Sequence, residues 1–542
     1  MFPTIYKITK WLLQLSLGRL VLVGLILFFG LLVWWLTLFP NDDAAISWRY
    51  ARNLIDGHGL VYNASERVEG YSNFAWTLAT AFGLLFIAPD AILYWTIFLS
   101  IVCGAGALLV LYRHTRRELG EQWWLLPTAL LASCTAMAYW GASGLESVAV
   151  VFIQTGVWAM TCRVEKENDR TALLWLLAAL VASILIRADG FLIPLLAVVY
   201  LAVKGRFRQA KYCFAVVLLT IGIYFSWRHA YYGWWLPNTA YAKVTGLLSD
   251  RLANAWGMFT GILMSTGIFI PIAALLAETL RSGMTAIKEK SLKPIPFHVV
   301  VFLAWMGYYF YVGGDIYYER FLLLLFPLGF FTLARLLKDI SGGVAKDRFV
   351  LVAVGITLLI LSFAPVGRYQ FMKACSWNKW DETGKFIAAE YPGAKIAVDA
   401  AGLIAYNNPD SFVIDIYGLN DEHIGHLPYK GEFLIGHCKS DPPYVLAKKP
   451  DLICSWVGRD GGAMNMSPQA LAKCGYRLRY VVDRELGVVD IQKLHPENVD
   501  SFWKGRGVSY GILVQETPPD SPIISASSIV PSGAPKSPVA GR

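Results

Sequence analysis

The sequence lacks several patterns that mark common classes of protein. It has 8 cysteines and 8 histidines, but no Cys-x-x-Cys pair or mixed His/Cys spacing, which argues against a zinc site. No internal repeat is apparent, although many transporters are built from paired repeats. The net charge is +9, yet the basic residues are scattered over short loops. We therefore expect no nucleic-acid partner.

Apolar residues, by contrast, dominate the composition. The chain is 56% hydrophobic and 14% aromatic, with a mean hydropathy of +0.47, well above an ordinary soluble domain. Residues 20–39, LVLVGLILFFGLLVWWLTLF, carry no charge and reach the roughly 20 residues that a membrane span needs. No small-residue cleavage site follows them, so we interpret them as a retained helix and not a signal peptide.

Apolar runs of similar character recur as far as about residue 365 and predict about eleven transmembrane helices. The run 74–88 is too short for a confident span, and we interpret it as a helix lying along the outer membrane surface. The predicted spans lie near residues 20–39, 91–112, 123–140, 146–162, 171–187, 190–203, 212–227, 256–280, 297–312, 321–337 and 349–365.

The loops between these spans fall into two chemical groups. One group is rich in Lys and Arg, as in YRHTRRELGE, KGRFRQAK and RSGMTAIKEKSLK, and the positive-inside rule assigns it to the cytoplasm. The other group holds the segment 40–90, GASGLES, IRADG, RHAYYGWWLPNTAYAK and VGGDIYYER. It carries the acids, amides and aromatic residues that chemistry would use, so we predict an active face outside the cytoplasm.

The chain divides into three parts on this basis. Residues 1–369 form the transmembrane domain, which includes a first extracytoplasmic loop at 40–90. Residues 370–516 read as a soluble α/β domain, because AKIAVDAAGLIAYNN and SFVIDIYGLND indicate two short buried strands. Residues 517–542 are rich in Pro and Ser and are expected to be disordered. Two disulfides could form among Cys375, Cys438, Cys454 and Cys474, in any of three pairings.

The first loop opens with NDDAAISWRYARNL, which has a structural and a functional interpretation. Asn41 can cap a helix whose first turn holds Asp42 and Asp43. Asp42, Arg49, Arg52 and Asp56 would share one helical face, as in a salt-bridged surface helix. Alternatively, the two aspartates serve catalysis, because the loop is long and charged where most connections are short.

The other outer segments add candidates that also have structural explanations. Glu146 begins a predicted span and could be a helix-capping acid, and Arg187 with Asp189 could be a local ion pair. His58 and His229 could be hydrogen-bonded structural histidines. The remaining substrate-binding candidates are Glu69, Arg228, Asn238, Lys243, Asp315 and Arg320.

Together these residues could bind the different parts of one substrate. Arginine and lysine suit a phosphate, carboxylates suit activation of a hydroxyl, and aromatic rings suit a lipid tail or a sugar. A substrate with a phosphate head and an isoprenoid tail would use all three.

The block NDDAAISWRYARNLIDGHGLVYNASERVEGYSNFAW closely resembles the first-loop signature of GT-C glycosyltransferases of the bacterial arabinofuranosyltransferase type. ASGLES, IRADGFL, RHAYYGWWLPNTAYAK, GGDIYYERFLL and DAAGLIAYNNPDSFVIDIYGLND resemble further blocks of that family, in the same order. The resemblance covers residues 40 to 425. It implies a polytopic α-helical membrane protein of GT-C type, with a C-terminal extracytoplasmic α/β domain, in the bacterial inner membrane.

The resemblance also implies an activity. The donor would be a polyprenyl-phosphate-linked sugar, typically arabinofuranose, and the acceptor a cell-surface glycan or a glycoprotein such as pilin. Asp42 and Asp43 match the family's catalytic acids, with Asp42 narrowly favoured as the base, while Arg228, Lys243 and Arg320 would hold the donor phosphate. No cofactor is implied, although the two carboxylates could ligate a divalent cation.

Two alternatives stay open at this point. A mannosyl- or aminoarabinosyl-transferase would share the architecture and the motifs. A lipid-sugar transporter or flippase would use the same charges as a binding site, but its charges would be expected nearer the middle of the spans.

Overall fold

The computed structural model describes residues 17–37, 40–265, 267–341, 356, 378–429, 437–485, 488–494 and 508–516. Within these ranges, five helices are long and apolar enough to cross a membrane. The protein is therefore a helical membrane protein with a separate sheet near its C-terminus. The predicted span at 349–365 and the predicted disordered tail at 517–542 lie outside the described residues, save for Ile356.

The N-terminal part is helical throughout. Its helices are α1 (Leu17–Leu36), α2 (Asp42–Ile55), α3 (Phe74–Leu84), α4 (Ile92–Leu119), α5 (Leu125–Ala132), α6 (Thr135–Gly141), α7 (Ser147–Lys166), α8 (Arg170–Ile186), α9 (Leu192–Val203), α10 (Phe207–Tyr232), α11 (Asn238–Lys243), α12 (Leu248–Ser265), α13 (Phe269–Glu289), α14 (Phe297–Val312) and α15 (Leu325–Ile340).

Two predicted spans are each divided in the structure. The run 123–140 forms two short helices, α5 and α6, which are separated at Ser133 and Cys134. The Ser133 hydroxyl donates to the Ala129 carbonyl at 2.9 Å, one of the local side-chain bonds that compete with a continuous helix. The run 256–280 is likewise split between α12 and α13. An apolar run in a sequence indicates that the segment is buried or in contact with the membrane. It does not indicate where a helix breaks.

The C-terminal part is an α/β domain. Its elements are α16 (Asn378–Glu390), β1 (Ile396–Val398), α17 (Leu403–Asn407), β2 (Val413–Asp415), α18 (Glu422–Gly425), α19 (Pro442–Ala447), β3 (Leu452–Gly458), α20 (Pro468–Lys473), β4 (Tyr476–Glu485), β5 (Val488–Lys493) and β6 (Val508–Gln515).

The strands form one six-stranded sheet in the order β2-β1-β3-β6-β4-β5. β1 pairs in parallel with both β2 and β3, and the other pairings are antiparallel. β1 and β2 are fully buried, so the two short buried strands predicted at these positions are confirmed. Buried parallel strands of this kind read as short apolar runs in a sequence.

The first loop and the C-terminal domain share a hydrophobic core. One cluster of buried side chains combines Ile46, Tyr50 and Tyr62 of the first loop with Ile396 and Ile404 of the domain. Burying apolar side chains of both parts in one cluster stabilises the interface between them. The domain is therefore packed on the helical part through residues 40–90.

The structure rules out the pair of disulfides considered above, because two of the four cysteines are unbridged. Cys454 and Cys474 are free thiols, and Cys454 lies fully buried in β3. Cys375 lies outside the described residues. Two bridges would need all four cysteines, so that prediction is wrong; Cys454 instead packs as a small apolar residue of the sheet.

Candidate active site

The start of α2 is built as the capping motif predicted. The Asn41 side chain accepts the Asp43 backbone N–H at 2.9 Å, and Asp42 and Asp43 occupy the first helical turn. Consecutive residues of a helix point about 100° apart. The two aspartates therefore face different surroundings.

Asp42 contacts the C-terminal domain. Its carboxylate accepts the backbone N–H groups of Gly402 and Leu403, at 3.0 and 2.8 Å, where α17 begins. The residue is 6% exposed, and burial raises the pKa of Asp42 to about 7 although the two N–H donors lower it. A side chain on Gly402 would overlap the Asp42 carbonyl oxygen, so only glycine permits this close approach.

Arg49 contacts the opposite end of the same short helix. Its guanidinium donates to the carbonyls of Ala405, Asn408 and Ser411, the latter two at 2.9 and 2.8 Å. Asp42 and Arg49 are seven residues apart, about 10 Å along α2. The Asp42 carboxylate therefore lies at the N-terminal end of α17, and the Arg49 guanidinium lies at its C-terminal end. A helix dipole favours this arrangement of charges.

Further contacts extend this interface, which we call the docking surface. The Tyr62 hydroxyl donates to the Ala401 carbonyl at 2.6 Å, and Asn63 exchanges two hydrogen bonds with the Val413 backbone. Asn238 donates to the carbonyls of Gly418, Leu419 and Asp421. The docking surface comprises Asp42, Arg49, Tyr62, Asn63 and Asn238.

Asp43 lies in a different environment, among cations. The Lys243 ammonium is 3.8 Å from its carboxylate, and the Tyr317 hydroxyl is hydrogen-bonded to it. Arg320 interacts electrostatically with it as well. The Asp43 side chain is 20% exposed and that of Lys243 is 32% exposed, so both are accessible to a ligand.

Arg320 is held in place by contacts with Asp315 and Tyr317. Its guanidinium donates to both oxygens of Asp315, at 2.9 and 3.3 Å, and lies 4.7 Å from the centre of the Tyr317 ring. Such a fork holds the planar guanidinium in one orientation. We call Asp43, Lys243, Asp315, Tyr317 and Arg320 the Asp43 cluster.

Glu146 lies beside this cluster. Its carboxylate accepts the Asn73 side-chain amide at 2.7 Å and interacts electrostatically with Arg320. Its side chain makes no capping hydrogen bond to the helix α7 that follows it. Glu146 is therefore held by the first loop, and the capping explanation does not describe it.

The other predicted residues have separate partners or positions. Glu69 and Arg228 form a buried ion pair at 2.7 Å, Arg187 and Asp189 pair at 3.1 Å, and Arg52 pairs with Asp56 at 3.6 Å on the surface. His229 is exposed and stacks on Trp235, and His58 is exposed.

The sequence comparisons give one family model and two curated relatives. A protein-family model described as a domain of unknown function (DUF8728) matches residues 368–504. A terminal β-(1→2)-arabinofuranosyltransferase of Mycobacterium tuberculosis is 27% identical in an alignment 341 positions long, which covers 54% of this chain and 53% of that protein. The chain spans about half the length of the curated relatives it matches.

The structural comparisons concern the fold. ArnT from Cupriavidus metallidurans bound to undecaprenyl phosphate matches with a TM-score of 0.57 at 13% identity, over 94% of this chain and 100% of that one. The chain has the GT-C fold. An archaeal oligosaccharyltransferase, AglB from Archaeoglobus fulgidus in complex with an inhibitory peptide and a dolichol-phosphate, matches with a TM-score of 0.50 at 10% identity. That match covers 88% of this chain and 75% of the other.

The first loop of this GT-C chain does not present its two aspartates as a paired metal site. Both Asp42 oxygens accept backbone N–H groups of the C-terminal domain, so the carboxylate is directed at that domain and away from the Asp43 carboxylate. Among the described residues no three His, Cys, Asp or Glu side chains are grouped as metal ligands. The geometry gives no support to the divalent cation considered above.

Sequence reasoning missed several residues of the site. Tyr317 lies inside the motif GGDIYYER, and its position two residues after Asp315 could have drawn attention to it. Gly402 and the α17 carbonyls could not be found in this way, because they lie about 360 residues from Asp42 and Arg49. Nothing local in the sequence links partners so far apart.

Proposed function

We propose that the protein is a glycosyltransferase that moves arabinofuranose from a polyprenyl-phosphate donor to an acceptor outside the cytoplasm. The observation that carries this proposal is the Asp43 cluster, which places an accessible carboxylate beside two cations. The named relative and the GT-C fold support the reaction class. We place the protein in the bacterial inner membrane, with the cluster and the C-terminal domain on the periplasmic side.

In this proposal Asp43 is the general base. It accepts the proton of an acceptor hydroxyl, whose oxygen attacks the anomeric carbon of the donor sugar. The bond between that carbon and the phosphate oxygen breaks, and polyprenyl phosphate leaves. Direct displacement of this kind inverts the anomeric centre. A positioned base typically contributes about 10²–10⁴-fold to the rate.

Lys243 and Arg320 are proposed to bind the donor phosphate. Lys243 is a partly exposed point charge beside Asp43, and Arg320 offers a guanidinium whose orientation Asp315 fixes. Positive groups aimed at a leaving phosphate stabilise the charge that develops there. Arg228 drops out of this role, because it is 1% exposed and paired with Glu69.

Asp42 is proposed to be a positioning residue. Its carboxylate is engaged by α17, so it holds the C-terminal domain against α2 and fixes the turn that carries Asp43. This reverses the narrow preference for Asp42 as the base. The preference had rested on a helical face shared with Arg49, and the structure shows that this face docks the domain.

The test is a transfer assay with the full chain in liposomes. Polyprenyl-phosphoryl arabinofuranose, aminoarabinose and mannose are supplied separately with a glycan acceptor, and products are identified by mass spectrometry. We expect an arabinofuranoside from the first donor, absent in Asp43→Asn. A product from only one of the other donors would contradict the sugar assignment. Movement of donor across the bilayer without any glycoside would instead indicate a flippase.

The acceptor is addressed in cells. Surface glycans and glycoproteins, pilins included, are compared by mass spectrometry between cells with the gene and cells without it. We expect loss of terminal arabinofuranose from one of these acceptors. An unchanged arabinose content in every surface fraction would contradict the proposed donor.

A further inference from the structure

A groove lies between the beginning of α1 and the end of α4, far from the Asp43 cluster. It encloses about 740 Å³. Its lining is unusual for a membrane-spanning region because four arginines and one acid surround an apolar floor. The lining residues are Arg19, Leu22, Val23, Leu109, Tyr112, Arg113, Arg116, Arg117 and Glu121.

Two of the four arginines are already paired. Arg116 binds Glu121 and the Tyr112 hydroxyl, and Arg117 binds Glu167. Arg19 and Arg113 are exposed, and the described part of the chain offers neither of them a carboxylate within ion-pair distance. Residues 1–16 include no acid at all. Within the described residues, the guanidinium groups of Arg19 and Arg113 therefore have no acidic partner and are open to an anion.

The apolar floor indicates what kind of anion fits. On α1, Leu22 and Val23 lie one turn beyond Arg19, and on α4 Leu109 lies one turn before Arg113. Both helices thus place charge at the end of the bundle and apolar surface one turn, about 5 Å, further in. A free phosphate would contact only the arginines. A lipid would contact the arginines with its phosphate and the apolar floor with its acyl chain.

The position of the groove separates it from the proposed donor site. The Asp43 cluster follows the C-terminal end of α1, whereas Arg19 is near its N-terminal end. The 20 residues of α1 span about 30 Å, the thickness of the bilayer core. The groove therefore faces the leaflet opposite the Asp43 cluster, on the side where the basic loops lie.

We propose that this groove binds the phosphate headgroup of an anionic membrane phospholipid, with Arg19 and Arg113 as its ligands. Arginine suits this role because its fork donates two parallel hydrogen bonds to phosphate oxygens. Basic pockets between membrane helices on the cytoplasmic side are a recurrent form of lipid recognition. The ligand would brace the ends of α1 and α4 together.

The experiment is native mass spectrometry of the full chain in detergent, titrated with phosphatidylglycerol or phosphatidylethanolamine. The test variant is the double substitution Arg19→Gln/Arg113→Gln. The matched control is Arg208→Gln/Lys211→Gln, which removes the same charge from the first two turns of α10. Both residues are exposed there, and neither lines the groove. We expect phosphatidylglycerol to bind the test variant about 25-fold more weakly, roughly fivefold for each arginine, and the control variant as tightly as the unmodified protein.

Four outcomes would overturn the proposal. These are unchanged phosphatidylglycerol binding in the test variant, equal losses in both variants, and equal binding of the two phospholipids by the unmodified protein. The fourth is displacement of phosphatidylglycerol by equimolar undecaprenyl phosphate, which would assign the groove to the lipid carrier of the donor. Thermal unfolding of each variant, measured in parallel without lipid, confirms that the comparison is made between folded proteins.

Discussion

Two neighbouring aspartates, Asp42 and Asp43, contact two different regions of this molecule. Asp42 belongs to the docking surface, where it is buried and both of its oxygens accept backbone N–H groups. Asp43 belongs to a cluster with Lys243 and Arg320, and its side chain stays partly exposed. A pair of acids within one motif is thus divided between a buried contact with the C-terminal domain and a partly exposed cluster with cations. Helical phase, more than residue type, therefore decides which environment each carboxylate enters.

The largest effect should come from Asp43→Asn. Loss of the proposed base is expected to lower transfer by about 10²–10⁴-fold, while the thermal unfolding midpoint stays close to that of the unmodified protein. The measurement is sugar transfer in liposomes alongside thermal unfolding. Full transfer by this variant would remove Asp43 from catalysis.

Arg320→Gln should affect both activity and stability. It leaves the 5% exposed Asp315 without its cationic partner, at a cost of about 3–5 kcal/mol in the free energy of unfolding. Transfer should fall as well, because the donor phosphate loses a ligand. Arg320→Lys is the matched control, since it keeps the charge but not the fork. If Arg320→Lys matches the unmodified protein in both transfer and stability, the bidentate geometry has no role.

Gly402→Ala tests the docking surface. The added methyl would push α17 away from Asp42 and weaken two hydrogen bonds to a charged group, each worth about 1.5–3 kcal/mol. We expect a stability loss of about 3 kcal/mol and faster proteolysis within residues 378–516. Gly222→Ala is the control, because a methyl there meets no neighbouring atom. An undisturbed protease pattern in Gly402→Ala would argue against the close contact.

Asp42→Asn should have a smaller effect than Asp43→Asn, Arg320→Gln or Gly402→Ala. The amide retains one acceptor for the two N–H donors, so about 1–3 kcal/mol of docking stability is lost. Transfer should decrease only severalfold. The opposite pattern, with normal stability and transfer reduced as far as in Asp43→Asn, would show that Asp42 is the base.

Arg52→Gln should change almost nothing. Its partner Asp56 is 3.6 Å away, and the two side chains are 28% and 46% exposed; such surface pairs contribute about 0–1 kcal/mol. Stability and transfer are expected to match the unmodified protein within error. A marked loss of transfer would mean that the substrate extends along α2 as far as this residue.

Local features of the site were predictable, and distant ones were not. The Asn41 cap and the Arg187–Asp189 pair were open to prediction, because each depends on neighbours within a few residues. The function of Arg49 was hidden, since its partners on α17 lie more than 350 residues away. Helix breaks at Ser133 and between α12 and α13 were hidden too, because an apolar run has the same composition whether or not it is continuous.

The docking contacts also determine when, during synthesis of the chain, the first loop can bind the C-terminal domain. Asp42 and its partner Gly402 are 360 residues apart, and ribosomes add about 5–20 residues per second. The first loop therefore waits roughly 20–70 s between its own emergence and that of α17. During that interval Arg49, which ends up 2% exposed, must remain hydrated or be bound by another molecule. Assembly of the docking surface is thus a late, long-range event that follows the synthesis of most of the helices.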